Sequence, residues 1–333
     1  MDKLYIITGA AGHLADTIIR YLRKTDCLIR GLILPTEYRK DTEKVKYYRG
    51  DVTIPESMED VFAESEKYET YVIHAAGIIS IEDRKNPLIY KVNIGGTKNI
   101  IRQCLSHKVK RLIYISSVHA LPANVNMATI AESAVFSGSL VTGDYARSKA
   151  EATRTVLDSV RWGLDAVVVL PSGIIGPYDA GRNHIVQLIK MYITGRLPVS
   201  VTGGFDFVDV RDAAQGCIKA IRHGITGSCY ILSNRYYTIK EILEYARKAI
   251  GGRRPLCIPA GVANAFAPLC EWAARLSGTR PLFTKYALST LAANIHFTHD
   301  KATAELGYRP RDMRITIVDT ISWLRKKNPC PFL

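Results

Sequence analysis

Short apolar runs alternate with longer amphipathic stretches over the first half of the chain. Five of the short runs predict strands: Leu4–Thr8, Leu28–Leu34, Tyr71–His74, Arg111–Ile115 and Asp165–Leu170. Between the first two runs, the apolar residues Leu14, Ile18 and Leu22 recur every four positions, which is typical of one helix face. Parallel strands need crossover helices between them, so this order predicts an α/β fold with a Rossmann-type, doubly wound parallel sheet.

Further helical patterns occur along the chain, but their regular alternation with strands ends near Pro177. The segments are Pro55–Phe62, Asn86–His107, Tyr145–Val160, Arg235–Gly251 and Ala263–Leu276. We therefore expect a Rossmann domain over residues 1–175, with later strand and helix contributions near 205–250. Residues 176–330 are expected to form mainly a smaller, mostly C-terminal cap that binds the substrate.

A glycine-containing loop follows the first predicted strand and opens the first helix. Residues 8–15 read TGAAGHLA, a GxxGxxA spacing. Gly9 permits a tight turn, Gly12 lets the backbone approach a pyrophosphate, and Ala15 permits close packing of helix on strand. The free N–H groups and the positive dipole end of the helix favour phosphates at this point. In this position the loop predicts dinucleotide binding.

The end of the second predicted strand bears on the choice of dinucleotide. At Leu34 there is neither the acidic residue that would bind the adenosine ribose hydroxyls nor an arginine that would bind a 2′-phosphate. Glu37 is near enough for the first role, and Arg39 and Lys40 for the second. Residues 20–49 carry nine basic against four acidic residues, which favours NADP(H) over NAD(H).

Two polar pairs indicate the reacting chemistry. Tyr145 and Lys149 are four residues apart, so they share one helix face, and a nearby ammonium lowers the pKa of a phenol toward neutrality. Such a phenol is an acid/base group. Ser116 and Ser117 end a buried strand, at the sheet edge where α/β proteins bind ligands, and a serine hydroxyl there donates to a substrate oxygen.

Two other residues have more than one interpretation, and two more are candidate substrate contacts. Asp51 follows the third strand, where its carboxylate either accepts from the adenine amine or begins the helix at Pro55. His119 either contacts the substrate or relays a proton, or it is structural. Tyr178 and His184 lie just past the Gly-Pro turn, where substrate loops often occur, and we name them as candidate substrate contacts.

Taken together, these motifs resemble those of one known family. They are residues 8–15, Asp51-Val52, residues 74–77, Asn93 with Gly96-Thr97, Ser116-Ser117, Tyr145 with Lys149, Pro171–Pro177, Phe207–Asp212, Lys301-Ala302 and residues 305–310. The chain resembles the extended short-chain dehydrogenase/reductases, the NAD-dependent epimerase/dehydratase-like proteins, over nearly its whole length. The resemblance implies a parallel sheet of about seven strands with a C-terminal substrate cap.

The resemblance also assigns roles to particular residues. It implies Ser117, Tyr145 and Lys149 as catalytic, with Tyr145 as the acid/base and Lys149 also holding the nicotinamide ribose. The implied cofactor-binding residues are Gly9, Ala11, Gly12, His13 and Leu14 at the pyrophosphate, Asp51 and Val52 at the adenine, Ala75, Ala76 and Gly77 at the ribose, Pro171 and Ser172 at the nicotinamide, and Asn93 and Ser116.

Departures from the family patterns favour one reaction class. Dehydratases carry an acidic residue where this chain has His119, and sugar-nucleotide enzymes carry polar residues where it has Leu170 and Gly173. The segment Pro171–Pro177 resembles that of dihydroflavonol reductases and 3β-hydroxysteroid dehydrogenases. The apolar stretch Ala263–Leu276 either lines an apolar substrate pocket, which agrees with that resemblance, or packs the core of the cap. We expect an NAD(P)(H)-dependent oxidoreductase that interconverts a secondary alcohol and a ketone on a mostly apolar substrate.

Two alternatives stay open at this point. A sugar-nucleotide 4-epimerase would keep NAD tightly bound, so cofactor that resists dialysis would favour it. A dinucleotide-binding sensor would need none of the three catalytic residues. Family members often dimerise through the helices near Asn86–His107 and Tyr145–Val160, so the resemblance also implies a homodimer.

Charge and cysteine content limit the partners and the compartment. Lys and Arg number 45 and Asp and Glu 31, a formal net charge of +14. The basic residues are scattered and no nucleic-acid motif accompanies them, so we expect a small-molecule substrate and no nucleic acid. The 7 cysteines form no CxxC pair, which argues against a metal site and favours a reducing, cytoplasmic compartment. No apolar run is long enough to span a bilayer.

Overall fold

Seven parallel strands form the central sheet of the computed structural model. The structure describes residues 1–80, 86–122, 129–179, 181, 183–197, 199–259, 261–263 and 285–327. The strands of the central sheet are β1 (Lys3–Thr8), β2 (Leu28–Ile33), β3 (Val45–Arg49), β4 (Glu69–His74), β5 (Arg111–Ile115), β6 (Ala166–Pro171) and, later in the chain, β10 (Cys229–Leu232). Their spatial order is β10-β6-β5-β4-β1-β2-β3. The predicted Rossmann-type sheet is therefore confirmed.

Helices cover the central sheet on both faces. The helices of the described residues are α1 (His13–Leu22), α2 (Glu59–Phe62), α3 (Pro87–Tyr90), α4 (Thr97–Ser106), α5 (Asp144–Ser159), α6 (His184–Ile193), α7 (Val210–His223), α8 (Ile239–Ile250), α9 (Lys285–Ala292), α10 (Asp300–Leu306) and α11 (Met313–Lys327). Successive side chains of a strand point to opposite faces. In β1, Leu4 and Ile6 enter the core shared with α4 and α5, whereas Tyr5 and Ile7 enter the core shared with α1 and α7.

A second, smaller sheet lies beside the carboxyl edge of the first. Its order is β11-β9-β7, from β7 (Gly173–Ile175), β9 (Gly204–Asp209) and β11 (Arg235–Thr238). β8 (Val199–Val201) and β12 (Leu256–Ile258) form a two-stranded sheet. Because β7 begins two residues after β6 ends, the chain passes directly from the central sheet into the smaller one. The division into two domains stays a prediction.

The predicted start of one helix is wrong. The pattern Arg235–Gly251 predicts a continuous helix, but Arg235–Thr238 is the strand β11, paired antiparallel with Gly204–Phe207. The helix α8 begins only after Thr238, whose hydroxyl accepts from the Glu241 N–H while the Glu241 side chain accepts from the Thr238 N–H. This capping box fixes the helix start, and pairing with a distant strand decides the residues before it.

Two other predicted helices are subdivided. Pro55–Phe62 is a 3₁₀ turn at Pro55–Met58 followed by α2, and Asn86–His107 is interrupted by a π-helical segment, Lys91–Gly96. Such segments are frequent at functional sites, and this one carries Asn93. Most of the predicted apolar cap helix, Ala263–Leu276, lies outside the described residues.

Candidate active site

The glycine loop between β1 and α1 leaves space for a phosphate group. Gly9 has φ +64°, and a Cβ placed on it would lie 2.8 Å from the Ala76 Cα. The Gly12 N–H donates to the Gly9 carbonyl at 2.8 Å. Gly12 is the N-cap of α1 and supplies no side-chain cap. The first N–H groups of α1 are thus available to an anion, and these residues fit a dinucleotide pyrophosphate.

Buried hydrogen bonds fix this loop against β4. The Ala76 N–H donates to the Thr8 hydroxyl, and that hydroxyl is 2.7 Å from His74 Nδ1. His74 Nε2 is 3.1 Å from the Thr97 hydroxyl, which donates to the Asn93 carbonyl. Because the Thr97 hydroxyl gives its proton to Asn93, it accepts from His74 Nε2, and Nδ1 in turn accepts from the Thr8 hydroxyl. His74 is therefore neutral with its proton on Nε2, and burial lowers its pKa to about 3. His74 is therefore a fixed link between the loop and the start of α4.

The part of the site where adenosine is predicted to bind is basic. Arg39 Nη2 donates to the Ala11 carbonyl at 3.2 Å, so its guanidinium lies beside the glycine loop. A cavity of about 440 Å³ opens there, lined by Ile33, Tyr38, Arg39, Lys40, Asp41, Tyr47 and Arg49. The Glu37 carboxylate accepts from the Leu34 N–H at 3.1 Å, within its own turn.

Asp51 and Val52 lie just beyond β3. One carboxylate oxygen of Asp51 accepts from the Thr53 N–H at 2.8 Å, and this turn leads into the Pro55 helix, whose N-cap is Ile54. Val52 is buried, and a Cβ on Gly96 would lie 2.6 Å from its Cγ2. The role of Asp51 toward adenine stays a prediction.

Lys149 is held at the carboxyl edge of the central sheet. Its Nζ donates to the Ile115 carbonyl at 2.7 Å and lies 5.0 Å from the centre of the Tyr114 ring. Burial lowers its pKa to about 7. A Cβ placed on Gly77 would lie 3.4 Å from the same Nζ. The ammonium therefore lies beside the Gly77 backbone at the carboxyl edge of the sheet.

Asn93 and Ser116 fix the segments around Lys149. Asn93 accepts from the Ile78 N–H at 2.8 Å and donates to the Ile78 carbonyl and the Ser148 hydroxyl. The Ser116 hydroxyl is 2.6 Å from that of Thr153 on α5. Both side chains are thus engaged with protein groups, and their roles toward the cofactor stay predictions.

Tyr145, Ser117 and His119 meet at the start of α5. Ser117 is the N-cap of a 3₁₀ turn, and its hydroxyl accepts from the His119 N–H at 3.3 Å. The His119 ring contacts the Tyr145 ring edge-on, with centroids 6.0 Å apart. The structure therefore brings the predicted serine and tyrosine to one place, through the turn that carries His119.

Phenylalanine rings continue this cluster into the smaller sheet. His119 stacks on Phe205 at 5.2 Å with an angle of 8°. Phe205 contacts Phe207 and Phe297 edge-on. We call His119, Phe205, Phe207 and Phe297 the aromatic wall. Burial lowers the pKa of His119 to about 4, so the ring is neutral at pH 7.

Hydrogen bonds attach the loop after β7 to α1 and to the start of α6. His13 Nε2 donates to the Pro177 carbonyl at 2.7 Å, and Asn183, the N-cap of α6, donates to the Ile174 carbonyl. The neighbouring Tyr178 has ring contacts with Arg20 and Trp323 rather than with the aromatic wall. His184 is the first residue of α6. The substrate roles of Tyr178 and His184 stay predictions.

Pro171 ends β6, and Ser172 follows it at the junction of the two sheets. The Ser172 N–H donates to the Leu232 carbonyl at 3.2 Å, but its buried hydroxyl makes no well-formed hydrogen bond within the described residues. Sequence reasoning missed the adjoining Phe205 and Asp206. Their signal was the alternation Phe205-Asp206-Phe207 directly after a glycine pair, which predicts a short strand.

The sequence matches a known protein family. The sequence model of the family described as "NAD dependent epimerase/dehydratase family" matches residues 5–232 of this chain. The chain belongs to this family. It is therefore an oxidoreductase of the epimerase/dehydratase type, and the resemblance inferred from its motifs is confirmed. Members of the family include dehydrogenases, reductases and epimerases, so membership leaves the reaction to be inferred from the site.

Several relatives have names that refer to sterols or flavonoids. Sterol demethylase protein B of Methylococcus capsulatus is 28% identical over 97% of this chain and 98% of its own length. A sterol-4-alpha-carboxylate 3-dehydrogenase (decarboxylating) of Schizosaccharomyces pombe is 26% identical over 83% of each chain. A putative dihydroflavonol 4-reductase of Synechocystis is 24% identical over 98% of this chain and 95% of its own.

Solved structures support the same fold. The crystal structure of gox2253 superposes with a TM-score of 0.82 and 28% identity, covering 98% of both chains. The UDP-glucose 4-epimerase of Thermotoga maritima, solved with UDP-glucose, gives a TM-score of 0.79 at 18% identity over 97% of this chain and 99% of its own. At that identity the second match shows the fold alone.

Among the described residues, no helix has the length and apolar character of a membrane span.

Proposed function

We propose that this protein is an NADP(H)-dependent reductase or dehydrogenase that interconverts a ketone and a secondary alcohol on a polycyclic, mostly apolar molecule. The contact of Tyr145 with the aromatic wall carries this proposal, because an acid/base side chain here adjoins stacked apolar rings. Apolar pockets with few polar groups select apolar ligands. The sterol and dihydroflavonol names of the relatives agree with this substrate class.

The bound nicotinamide would supply or accept the hydride at the reacting carbon. Gly9, Gly12 and the N-terminus of α1 would hold its pyrophosphate, and Gly77 with Lys149 would hold its ribose. In the reducing direction, Tyr145 gives its phenolic proton to the oxygen as that atom gains charge, and Ser117 donates a hydrogen bond to the same oxygen. Lys149 favours the resulting phenolate, and solvent returns the proton.

His119 has a passive part in this proposal. Its ring is neutral and is held between Tyr145 and Phe205. It occupies the position two residues after Ser117 where the resemblance places an acidic residue in dehydratases, so this chain lacks that carboxylate. This supports alcohol–ketone chemistry over dehydration.

Spectrophotometry tests the activity. Dialysed protein is mixed with a pool of ketosteroids and dihydroflavonols, and oxidation of NADPH and NADH is followed separately. We expect oxidation with the wild type and a loss of at least about 100-fold in turnover for Tyr145→Phe, the scale of lost acid/base catalysis. NADPH affinity should be unchanged in that variant, because the ring remains.

A matched tyrosine variant gives the control. Tyr192→Phe removes a phenol that donates to the Gly251 carbonyl in the cap, and its turnover should match the wild type. Equal turnover of Tyr145→Phe and the wild type would remove Tyr145 from the mechanism. Cofactor that stays bound through dialysis, without oxidation of added NADPH, would instead favour the sugar-nucleotide 4-epimerase.

The basic adenosine side supports NADP(H) as the cofactor. Arg39 is held at the glycine loop, and Lys40 and Arg49 line the same cavity. A 2′-phosphate would gain charge-assisted hydrogen bonds there. Arg39→Ala should weaken NADPH binding by about 10-fold or more and leave NADH binding unchanged. The exposed Arg161→Ala has the same change of charge and should alter neither, whereas equal loss for both cofactors with Arg39→Ala would contradict this role.

A further inference from the structure

The Lys149 ammonium is buried, and among the described residues no carboxylate pairs with it. An ammonium group has three N–H donors, and a buried charge is costly unless these donors have partners. The groups that stabilise this charge within the protein are therefore neutral ones.

Two consecutive residues of β5 supply the acceptors. The Lys149 Nζ donates to the Ile115 carbonyl at 2.7 Å and to the Tyr114 hydroxyl at 3.5 Å. The same Nζ lies 5.0 Å from the centre of the Tyr114 ring. The hydroxyl contact is long, but both the oxygen and the ring of the phenol attract a cation, and such attraction is stronger away from water. One strand thus uses two of the three donors, and the third is left for a group outside β5.

Tyr114 is itself held rigidly. It is fully buried in the middle of the central sheet, where its register partners are His74 of β4 and Val168 of β6. Its ring contacts the His74 ring, with centroids 5.7 Å apart. His74 in turn is hydrogen-bonded to Thr8 and Thr97. The position of the phenol therefore follows from strand pairing and from the link to the glycine loop.

Packing of the core does not account for the Tyr114 hydroxyl. Leu112, which enters the same core from β5, is apolar, and a phenylalanine at position 114 would fill the space of the ring without burying a polar atom. Burial raises the pKa of Tyr114 well above its ordinary value, so the phenol stays neutral and cannot replace Tyr145 as the acid/base. What the hydroxyl adds is an acceptor for Lys149.

We propose that Tyr114 is a positioning residue, which stabilises the charged form of Lys149 and fixes the direction of its remaining N–H donor. The inference deepens the proposed function, in which Lys149 favours the phenolate of Tyr145 one turn earlier on α5. It rests on that function only for its effect on turnover. Tyr114 then acts on the reaction through the lysine alone.

Titration of Lys149 in the protein without cofactor tests this role directly. NMR of lysine isotopically labelled at Cε gives its pKa, with the signal assigned by its absence in Lys149→Met. We expect a pKa of about 7 in the wild type and a fall of about one unit in Tyr114→Phe, which loses the acceptor and keeps the ring. Tyr114→Leu loses both and should give a larger fall. The other titratable groups near the ammonium are His74, which is neutral over this pH range, and Tyr145, which is the same in all three proteins.

The pH dependence of turnover gives a second measurement. Above its pKa, a lysine whose pKa falls by one unit has about tenfold less ammonium. With an alcohol substrate at pH 8, we therefore expect kcat of Tyr114→Phe to fall by about 5- to 10-fold, against only about twofold at pH 6. KM for the alcohol should stay as in the wild type, because the substitution changes no proposed contact with the substrate.

Tyr230 offers a matched control. It is also fully buried in the central sheet, and the Lys301 Nζ lies 5.0 Å from the centre of its ring. Tyr230→Phe removes a buried hydroxyl that donates to Glu305, so it should lower stability. It should leave the pKa of Lys149 and the pH dependence of kcat unchanged.

Two results would overturn the inference. An unchanged Lys149 pKa in the Tyr114 variants would show that the phenol does not stabilise the ammonium. An equal fall of that pKa in Tyr230→Phe would show a general effect of losing a buried hydroxyl. If Tyr114→Leu does not fold, Tyr114→Phe alone carries the comparison. Absence of turnover in the wild type would overturn the proposed function, and the NMR titration would still decide the role of Tyr114.

Discussion

The charge state of the Lys149 ammonium depends on two opposing effects. Burial disfavours its ammonium form and lowers the pKa to about 7. The Ile115 carbonyl at 2.7 Å and the face of Tyr114 stabilise the positive charge and fix its position. Lys149 lies one helical turn after Tyr145 on the same face of α5, and its effect on the phenol stays a prediction.

Gly9 allows a residue-scale prediction about the phosphate loop. Gly9→Ala places a Cβ 2.8 Å from the Ala76 Cα at φ +64°, against backbone that cannot rotate away. We expect a loss of about 2 kcal/mol or more in unfolding free energy and weaker NADPH binding, measured by urea denaturation and fluorescence titration.

The matched control is Gly163→Ala. Gly163 has φ +89°, but no atom of the described residues lies within 4 Å of a Cβ placed there. It should lose only the conformational cost of about 1 kcal/mol and bind NADPH normally. Equal NADPH affinity of Gly9→Ala and the wild type would contradict the part assigned to the loop.

At the scale of elements, Asp209 joins three of them. It ends β9 and is the N-cap of α7, where it accepts from the Arg211 N–H at 2.7 Å. Its carboxylate also binds the Arg211 guanidinium and the Thr316 hydroxyl of α11. Burial alone would raise the pKa of Asp209, but these partners hold that pKa below its ordinary value. The C-terminal helix is thus attached to the sheet that carries the aromatic wall.

Asp209→Ala should therefore be strongly destabilising. Removing one partner of a buried ion pair costs about 3–5 kcal/mol, because the other charge is left uncompensated. Urea denaturation would measure the loss. Asp312→Ala breaks the exposed pair with Arg314 and the cap hydrogen bond from the Arg314 N–H, and it should cost only about 1 kcal/mol. A similar small loss for both variants would show that the Asp209 contacts contribute little.

At the scale of the whole molecule, the pH dependence of stability reports on the junction of the two sheets. Burial raises the pKa of Asp206 to about 6, and Arg235, Tyr237 and Tyr308 are the charged or titratable groups that interact with it. The folded state therefore binds this proton more tightly than the unfolded state. The stabilisation is fully present below about pH 4 and is lost as pH rises to about 6.

The fall in stability with rising pH can be measured directly. From pH 4 to 7, the unfolding free energy of the wild type should fall by about 3 kcal/mol relative to that of Asp206→Asn, since two pKa units correspond to that energy. Urea denaturation at several pH values would measure the difference. Parallel pH curves for the two proteins would show that Asp206 titrates normally.

The sequence predicts the central sheet well because its signals are local. Strand and helix periods are properties of a few neighbouring residues, and β1, β5 and β6 lie within a residue or two of their predicted bounds. The smaller sheet was missed for the opposite reason. β11 is a strand because Arg235–Thr238 pairs with the distant Gly204–Phe207. The local signal there, the capping box of Thr238 and Glu241, marks the helix start without showing that a strand precedes it.

The sequence by itself determined the fold class, the glycine loop and the pair Tyr145 and Lys149, because each depends on spacing along one strand–turn–helix unit. Only the tertiary structure decided which side chains surround them. The stacking of Phe205 on His119 and the reach of Arg39 to the Ala11 carbonyl join residues far apart in the chain. Such contacts follow from packing and strand pairing, which depend on the whole chain rather than on any short segment.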